Sequence, residues 1–306
     1  MQSQSQIHEQ ITHQIIEALT SGSLPPWRQP WLSHHNAGFP TNVVSKRRYS
    51  GVNPLLMQMA AQRHGLRSKF WATFKQWQSL GGMVKRRPAD VRPGEWGTSI
   101  VFWKPVTKTE VDPKTGDEEE ITFGFLKNYT VFNADQVDGD FDHLRVADIV
   151  TNNDFIDFKP AERAIEATEA DIRFGGDAAF YRRPNLDGDG DFIQMPPKHS
   201  FSPPSEYYAT ALHELMHWSE CRLGWSGNYS EGELRAEIAA CYAITELGVP
   251  QSEDLSNHHA YLDHWLGHLE RDARYIFAAC TAASKAAEFV LSFSRVHEPV
   301  EEPVLA

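Results

Sequence analysis

His213-Glu214-Leu215-Met216-His217 is the segment that decides how the second half of this 306-residue chain folds. In an α-helix, residues four positions apart lie on one face, so the imidazoles of His213 and His217 can hold a single metal ion. Glu214 lies about 100° further round, close enough to accept a proton from a metal-bound water. H-E-x-x-H on a helix is the arrangement of zinc peptidases, and we predict a metal centre with Glu214 as its general base.

A catalytic zinc site needs a third protein ligand, and the next predicted helix offers two carboxylates. Glu233 and Glu237 lie four residues apart on one face of a helix that begins at Ser230 or Glu231. We assign Glu233 as the third ligand and Glu237 as the residue that supports a ligand. Two alternatives stay open: the reverse assignment, since Glu237 follows His217 by 20 residues as in thermolysin-like enzymes, and a capping-box role for Glu233 with Ser230. The expected cofactor is Zn²⁺, with Mn²⁺ as the alternative.

Charge divides the chain into two parts. The whole chain has a net charge of -12, which by itself disfavours a nucleic-acid partner. Residues 1–110, however, carry 14 Lys and Arg against 5 Asp and Glu, a net charge of +9, whereas residues 111–306 carry 15 against 36, a net charge of -21. Such an asymmetry is typical of two domains with different partners.

Hydrophobic periodicity predicts an α+β fold in two domains. The predicted helices cover 7–19, 54–64, 73–80, 161–170, 207–223, 231–247 and, with a break, 261–293. Strand-like runs cover 98–103, 121–125 and 129–132, and a turn sequence at 112–116 predicts that the first two form a hairpin. We place a small α+β domain at 1–135, a linker at 136–150 and a zincin-like metal-binding domain at 151–306.

Composition excludes several classes of protein. No apolar run approaches the ~18 residues needed to span a bilayer, and the polar segment 1–14 lacks the core of a signal peptide. The three cysteines, Cys221, Cys241 and Cys280, are dispersed, which excludes a disulfide scaffold. We therefore expect a soluble, cytoplasmic protein with no membrane partner.

The basic first part combines cations with aromatic residues, as proteins that bind single-stranded nucleic acids do. Six of the nine tryptophans lie before residue 111. For Trp71, Trp96 and Trp103 packing in the core is the favoured interpretation. We predict binding of single-stranded DNA without sequence preference through the following residues: Trp27, Arg28, Trp31, Lys46, Arg47, Arg48, Tyr49, Lys75, Lys85, Arg86 and Arg87.

The segment 191–196, upstream of the metal-binding helix, has the composition of a short strand that ends at Pro196. Peptidases of this type bind substrate as an extra strand along an exposed sheet edge. The segment is therefore expected to be either that edge strand or an ordinary core strand.

As an ordered set, several segments resemble the ArdC family of plasmid-borne antirestriction proteins, whose N-terminal domain is similar to one on TraC-type primases. The first half has P-W-x-x-P-W at 26–31, Y-x-G-x-N at 49–53 and T-F-x-Q followed by G-G between 73 and 82. The second half has F-G-G-D at 174–177 and a tyrosine pair leading into the H-E-x-x-H segment. The resemblance covers about residues 7–290. It implies a single-stranded DNA-binding domain joined to a zincin-like metallopeptidase domain.

The resemblance also implies a function, the protection of incoming plasmid DNA from restriction during conjugation. The peptidase substrate would be an unknown protein, with the host restriction machinery as a candidate. One alternative is a DNA-coating protein with a catalytically silent, structural metal domain. A second is a metal-dependent DNA-processing enzyme, which is disfavoured because phosphoryl chemistry prefers carboxylate-rich or two-metal clusters.

Overall fold

The computed structural model describes residues 3–21, 27, 36, 38–111, 118–146, 158–225, 228–250 and 259–295. The chain divides into two compact units. The first combines Met1–Ile149 with Glu253–Thr281, and the second combines Val150–Ser252 with Ala282–Ala306. Both contain helices and a sheet, which confirms the predicted α+β fold class.

A four-stranded sheet lies at the centre of the first unit. The strands of this unit are β1 (Thr41–Asn42), β2 (Phe70–Thr73), β3 (Met83–Val84), β4 (Thr98–Val111), β5 (Glu118–Asn133) and β6 (Val137–Asp138). The sheet has the order β1-β2-β5-β4, while β3 pairs with β6. The antiparallel pairing of β4 with β5 confirms the predicted hairpin, although its turn lies outside the described residues.

Two helices of the first unit, α2 (Asn53–His64) and α3 (Phe74–Ser79), complete two cores on opposite faces of this sheet. Helix α1 (Gln4–Thr20) precedes them in the chain. Side chains alternate between the two faces along each strand. One face packs against Met57 of α2 through Trp71 and Val131, and the other packs against Trp77 of α3 through Ala72. Helix α2 thus covers one face of the sheet, and α3 covers the other.

The second unit places a small sheet against a helical layer. Its strands are β7 (Asp171–Phe174), β8 (Phe180–Arg182) and β9 (Phe192–Met195), in the order β7-β9-β8. Its helices are α4 (Lys159–Ala167), α5 (Ser205–Arg222) and α6 (Tyr229–Leu247), with α5 packed on α6, β8 and β9. Because β9 is paired on both sides, the core-strand interpretation of 191–196 is confirmed and the edge-strand interpretation is wrong.

The C-terminal helical segment is interrupted, as the sequence predicts, between α7 (His259–Arg271) and α8 (Tyr275–Ser292). Helix α7 packs on α1, and the indole of Trp265 lies 5.9 Å from that of Trp27 between ring centroids. Residues 253–281 therefore group with the first unit, whereas the predicted limits assign all of 151–306 to one domain. A linear pattern carries no information about which distant helix α7 contacts. Within the described residues, no helix has both the length and the apolar content needed to span a bilayer.

Candidate metal centre and nucleic-acid interface

The connection between α5 and α6 brings the predicted ligands together. Gly224 adopts a left-handed conformation with φ of 69°, which a residue with a side chain rarely adopts. The amide of Gly224 donates to the carbonyl of Cys221 at 3.2 Å, and the amide of Trp225 donates to that of Glu220 at 2.9 Å. These are the hydrogen bonds of a Schellman-type helix end. Helix α5 therefore stops sharply, and α6 can begin a few residues later and pack against it.

The beginning of α6 is capped by Asn228. Its side-chain oxygen accepts a hydrogen bond of 3.0 Å from the amide of Glu231. The capping residue is thus Asn228 rather than Ser230, which makes the capping-box interpretation of Glu233 wrong. Glu233 instead lies buried one turn into α6, on the side that contacts α5.

His213, His217 and Glu233 direct donor atoms toward one point. The two imidazole Nε2 atoms are 3.1 Å apart. One carboxylate oxygen of Glu233 lies 3.3 Å from Nε2 of His217, and the other lies 3.6 Å from Nε2 of His213. A tetrahedral metal ion with bonds of about 2.0–2.1 Å separates its ligand atoms by about 3.3–3.4 Å. The three side chains therefore fit a small divalent cation, and in the described part of the chain they form the single such cluster of three or more donors.

A further carboxylate lies near the Nδ1 atom of each histidine. Nδ1 of His213 lies 3.5 Å from Glu237, and Nδ1 of His217 lies 3.7 Å from Glu220. A carboxylate at Nδ1 orients the ring and leaves Nε2 facing the metal. This geometry favours Glu233 as the ligand and Glu237 as the supporting residue. It also adds Glu220, which sequence reasoning missed although its spacing of three residues after His217 places both on one helix face.

Two arginines hold Glu220 in place. Arg183, which follows β8, forms a short ion pair with Glu220, and Nη2 of Arg235 on α6 lies 3.3 Å from the same carboxylate. Burial alone would raise the pKa of Glu220, but His217, Arg235 and Arg183 together lower it. The carboxylate therefore remains ionised behind His217, as an acceptor for the imidazole requires.

The carboxylates favour positive charge at the donor cluster. Burial alone would lower the pKa of His213, but Glu233, Glu237 and Glu214 raise it to about 10. The pKa of Glu233 is held well below its usual range by the two imidazoles, against the opposing effect of burial. A site that stabilises positive charge in this way also suits a bound cation.

Glu214 is buried on α5 next to the donor cluster. Its charge is among those that raise the pKa of His213, which shows that the carboxylate lies within electrostatic reach of that ring. The position agrees with the predicted role of a general base, which stays a prediction.

The residues predicted to contact DNA do not share one environment. Arg28 and Trp31 lie outside the described residues. Trp27 and Tyr49 are buried, so their rings cannot stack on a base, and that part of the prediction is wrong. The remaining residues are cations: Lys46, Arg47, Arg48, Lys75, Arg86 and Arg87 are exposed, and Lys85 is half-buried and donates to the carbonyl of Asp135 at 2.8 Å.

The exposed aromatic side chains of the first unit are a different set. Trp71 is buried, as predicted, and Trp96 is half-buried with its indole donating to the carbonyl of Lys85 at 3.0 Å. Trp103, by contrast, is 62% exposed, so the prediction of core packing is wrong for this residue. It pairs with Leu126, beyond the residues of β5 that pair with β2. Among the residues of this unit whose side chains the structure describes, the other exposed aromatic residues are Phe74, Phe102 and Tyr129.

Comparison with known families now defines the class of this protein. Residues 159–282 match the family of zincin-like metallopeptidases, and residues 5–132 match the N-terminal domain of the anti-restriction factor ArdC. The fold and the donor cluster therefore belong to a two-domain protein with an ArdC-type N-terminal domain and a metal-binding, zincin-like C-terminal domain.

Two solved structures extend this similarity over nearly the whole chain. The metal-free crystal structure of the antirestriction ArdC protein from plasmid R388 is 35% identical, with a TM-score of 0.71, and covers 94% of this chain and 97% of its own. The Mn(II)-bound structure of that protein is 32% identical, with a TM-score of 0.67, and covers 95% and 99%. This chain belongs to the ArdC antirestriction protein family, which confirms the resemblance noted in the sequence.

Two curated relatives also match nearly the whole of this chain. The uncharacterized protein y4eC of Sinorhizobium fredii is 33% identical over 94% of this chain and 92% of its own length. A DNA primase TraC of Escherichia coli is 35% identical over 94% of this chain, but the match covers 27% of the primase. The chain thus spans about a quarter of the length of that relative.

Proposed function

We propose that this antirestriction protein binds single-stranded DNA through its first unit and hydrolyses peptide bonds at a gluzincin-like metal centre in its second. Its role is the protection of incoming plasmid DNA during conjugation. The observation that carries the peptidase proposal is the triangle of donor atoms from His213, His217 and Glu233, with Glu214 beside it.

His213, His217 and Glu233 would hold the metal ion. Two imidazoles and one carboxylate suit Zn²⁺, and Mn²⁺ is the alternative because a relative has been solved in a Mn(II)-bound form. When bound, a divalent ion supplies Lewis-acid polarisation of a carbonyl and activation of water. Glu237 and Glu220 orient the imidazoles through their Nδ1 atoms. Glu214 accepts the proton of the attacking water and passes it to the leaving amine.

The substrate is proposed to be an extended peptide from an unknown protein, with the host restriction machinery as a candidate. Strand β9 is central, so an added strand must pair at an outer edge of the sheet. Strand β8 is an outer strand and packs on α5, the helix that carries both histidines. It is therefore the proposed docking edge.

Binding of DNA by the first unit is supported by its net charge and by its exposed cations. Residues 1–110 carry a net charge of +9, and Lys46, Arg47 and Arg48 are all exposed in one loop. Cations in this arrangement neutralise phosphates and release counterions, without reading a base sequence. A relative named as a DNA primase agrees with a nucleic-acid partner.

The variant Glu214→Gln tests the peptidase proposal. Removing a general base costs about 10²–10⁴-fold in rate, while the amide keeps the shape of the side chain. We expect that loss in cleavage of labelled, denatured casein, with metal and oligonucleotide affinity unchanged. Undiminished cleavage would remove Glu214 from the mechanism. Lost cleavage with full protection of a plasmid in recipient cells would instead favour a DNA-coating protein, and metal-dependent nicking of DNA that the variant lacks would favour a DNA-processing enzyme.

The triple variant Lys46→Gln, Arg47→Gln and Arg48→Gln tests the DNA proposal. Each lost phosphate contact makes the slope of log affinity against log salt shallower by about 0.7 for a single strand. We expect a slope shallower by up to about 2 with a labelled oligo-dT, measured by fluorescence anisotropy. Lys159→Gln, an exposed lysine of the second unit, is the matched control. Wild-type affinity that does not change between low and moderate salt would contradict the proposal.

A further inference from the structure

Strands β4 and β5 form an antiparallel pair, which we call the β4–β5 ribbon. One face of this ribbon starts in the core and extends into solvent. Residues directly opposite in an antiparallel pair share a face. Ile100 is only 1% exposed, whereas Phe102, two residues further along the same face, is 46% exposed. The core therefore ends between these two positions. The opposed pairs along this face are Ile100 with Tyr129, Phe102 with Lys127, and Lys104 with Phe125.

Four exposed side chains of that face form what we call the ribbon patch: Phe102, Lys104, Lys127 and Tyr129. The rings of Phe102 and Tyr129 meet edge to face, with centroids 5.4 Å apart and planes at 87°. The ammonium group of Lys127 lies 5.1 Å from the centroid of the Tyr129 ring. An exposed apolar surface that is bordered by charged side chains is typical of a binding site.

We propose that the ribbon patch is the platform on which the first unit stacks the bases of single-stranded DNA. Exposed ring faces and neighbouring cations are the combination that binds unpaired bases and their phosphates together. The patch carries two positive charges and no carboxylate, which favours an anionic partner. Its rings suit a single strand rather than a duplex, whose bases are already stacked on one another. The inference rests on the single-strand binding proposed above and names the residues that perform it.

The opposite face of the same ribbon provides a matched comparison. Trp103 is 62% exposed, and its indole lies across Gly124 of β5. A Cβ atom at Gly124 would lie 1.8 Å from Cε2 of that ring, so only glycine leaves room for it. On this face Trp103 pairs with Leu126 and Val101 pairs with Asn128, so neither of these cross-strand pairs contains a cation. We therefore assign base stacking to the ribbon patch and not to Trp103.

The experiment uses the full chain and two labelled probes of equal length, a 20-nucleotide oligo-dT and its abasic counterpart. Phe102→Ala and Tyr129→Ala are each expected to weaken oligo-dT binding by about 5- to 140-fold, the range for loss of one stacked base. Both variants should bind the abasic probe as wild type does, because that probe has no base to stack. Phe102→Leu keeps the bulk without the ring and should behave like Phe102→Ala.

The lysines of the patch should show the opposite pattern. The double variant Lys104→Gln and Lys127→Gln is expected to weaken both probes equally, with a salt slope shallower by about 1.4. The two aromatic variants should keep the wild-type slope. Trp103→Ala, the control on the opposite face, should bind both probes as wild type does.

Each outcome decides a different part of the proposal. If wild type binds oligo-dT in a salt-dependent way but Phe102→Ala and Tyr129→Ala bind equally well, the platform is refuted while single-strand binding stands. If wild type binds neither probe, the function proposed for the first unit fails together with the platform. Equal losses on both probes, or an equal loss in Trp103→Ala, would overturn base stacking at this face. A dimer in wild type that Phe102→Ala dissociates, measured by sedimentation, would assign the patch to a second copy of the chain instead.

Discussion

The metal centre of the second unit and the ribbon patch of the first unit place their charges in opposite environments. At the metal centre, Glu220, Glu233 and Glu237 are buried, and each faces an imidazole or an arginine. In the ribbon patch, Lys104 and Lys127 are exposed to solvent. Buried, paired groups are held in one geometry and recognise a small ion, whereas exposed charges act through a field that salt screens. Buried carboxylates at the metal centre thus suit a fixed, compact cation, and the exposed lysines of the ribbon patch suit the flexible polyanion proposed above.

Aromatic residues of the first unit also occupy buried and exposed positions, and we expect the two kinds of position to contribute differently to stability. Trp27 is buried against Trp265, whereas Phe102 stands in solvent on the ribbon. We expect Trp27→Ala to lower the free energy of unfolding by about 3–5 kcal/mol, since it leaves a large cavity. Phe102→Ala should lower it by only about 1 kcal/mol, because the side chain is 46% exposed and its ring contacts that of Tyr129. Urea denaturation of both variants measures the difference. Similar losses in the two would show that Phe102 has a structural role and would weaken the contrast between the regions.

The assignment of the third ligand can be tested by substituting two glutamates of α6 separately with alanine. Glu233→Ala should weaken metal binding by about 100-fold or more, because a donor is lost. Glu237→Ala should weaken it by about 10- to 100-fold, the usual effect of removing a residue that only orients a ligand. Glu231→Ala, on the same helix but outside the donor cluster, is the matched control. Competition with a chromophoric chelator measures all three, and a larger loss in Glu237→Ala would reverse the assignment.

Glu220 can be tested as a positioning residue. Glu220→Gln keeps the size of the side chain but removes the charge that faces His217, Arg183 and Arg235. We expect metal affinity to fall by about 10- to 100-fold, with oligonucleotide binding unchanged. Glu220→Asp, which retains the charge, should recover part of the affinity. If Glu220→Gln unfolds more easily but binds metal as wild type does, the residue only stabilises the fold.

The smallest expected effect is a pH dependence of stability measured with a chelator present. The pKa of His213 is raised from its ordinary value of 6.5 to about 10, so its stabilising contribution is complete below about pH 6.5 and is lost as pH rises toward 10. The pKa of Glu233 is lowered from 4.5, so its contribution is present above about pH 4.5 and is lost as pH falls. The difference in melting temperature between wild type and His213→Asn should therefore be largest between about pH 4.5 and 6.5. His199→Asn, an exposed histidine, serves as the control, and a difference that grows above pH 7 would contradict the charge pattern.

Local pattern was sufficient to predict most of the helices and the ligands on them. Helix α5 and the pairing of His213 with His217 follow from a spacing of four residues, and the break before α8 follows from the polar stretch after α7. The sequence pattern was not sufficient where the burial of a side chain depends on segments that are distant in the chain. Trp27 looked like a stacking residue because a cation follows it in sequence, yet α7 covers it.

The sequence alone thus established the metal-binding helix, the division of charge and the family, since each depends on residues close together in the chain or on their order. Tertiary packing decided which carboxylate faces Nε2 and which faces Nδ1, brought Arg183 and Arg235 to Glu220, and exposed Phe102 and Tyr129 where the core ends. Helical periodicity constrains neighbours within a few turns. It does not determine which distant segment packs over a given side chain. That packing decides whether a charged or aromatic side chain is buried in the core or remains exposed and available for binding.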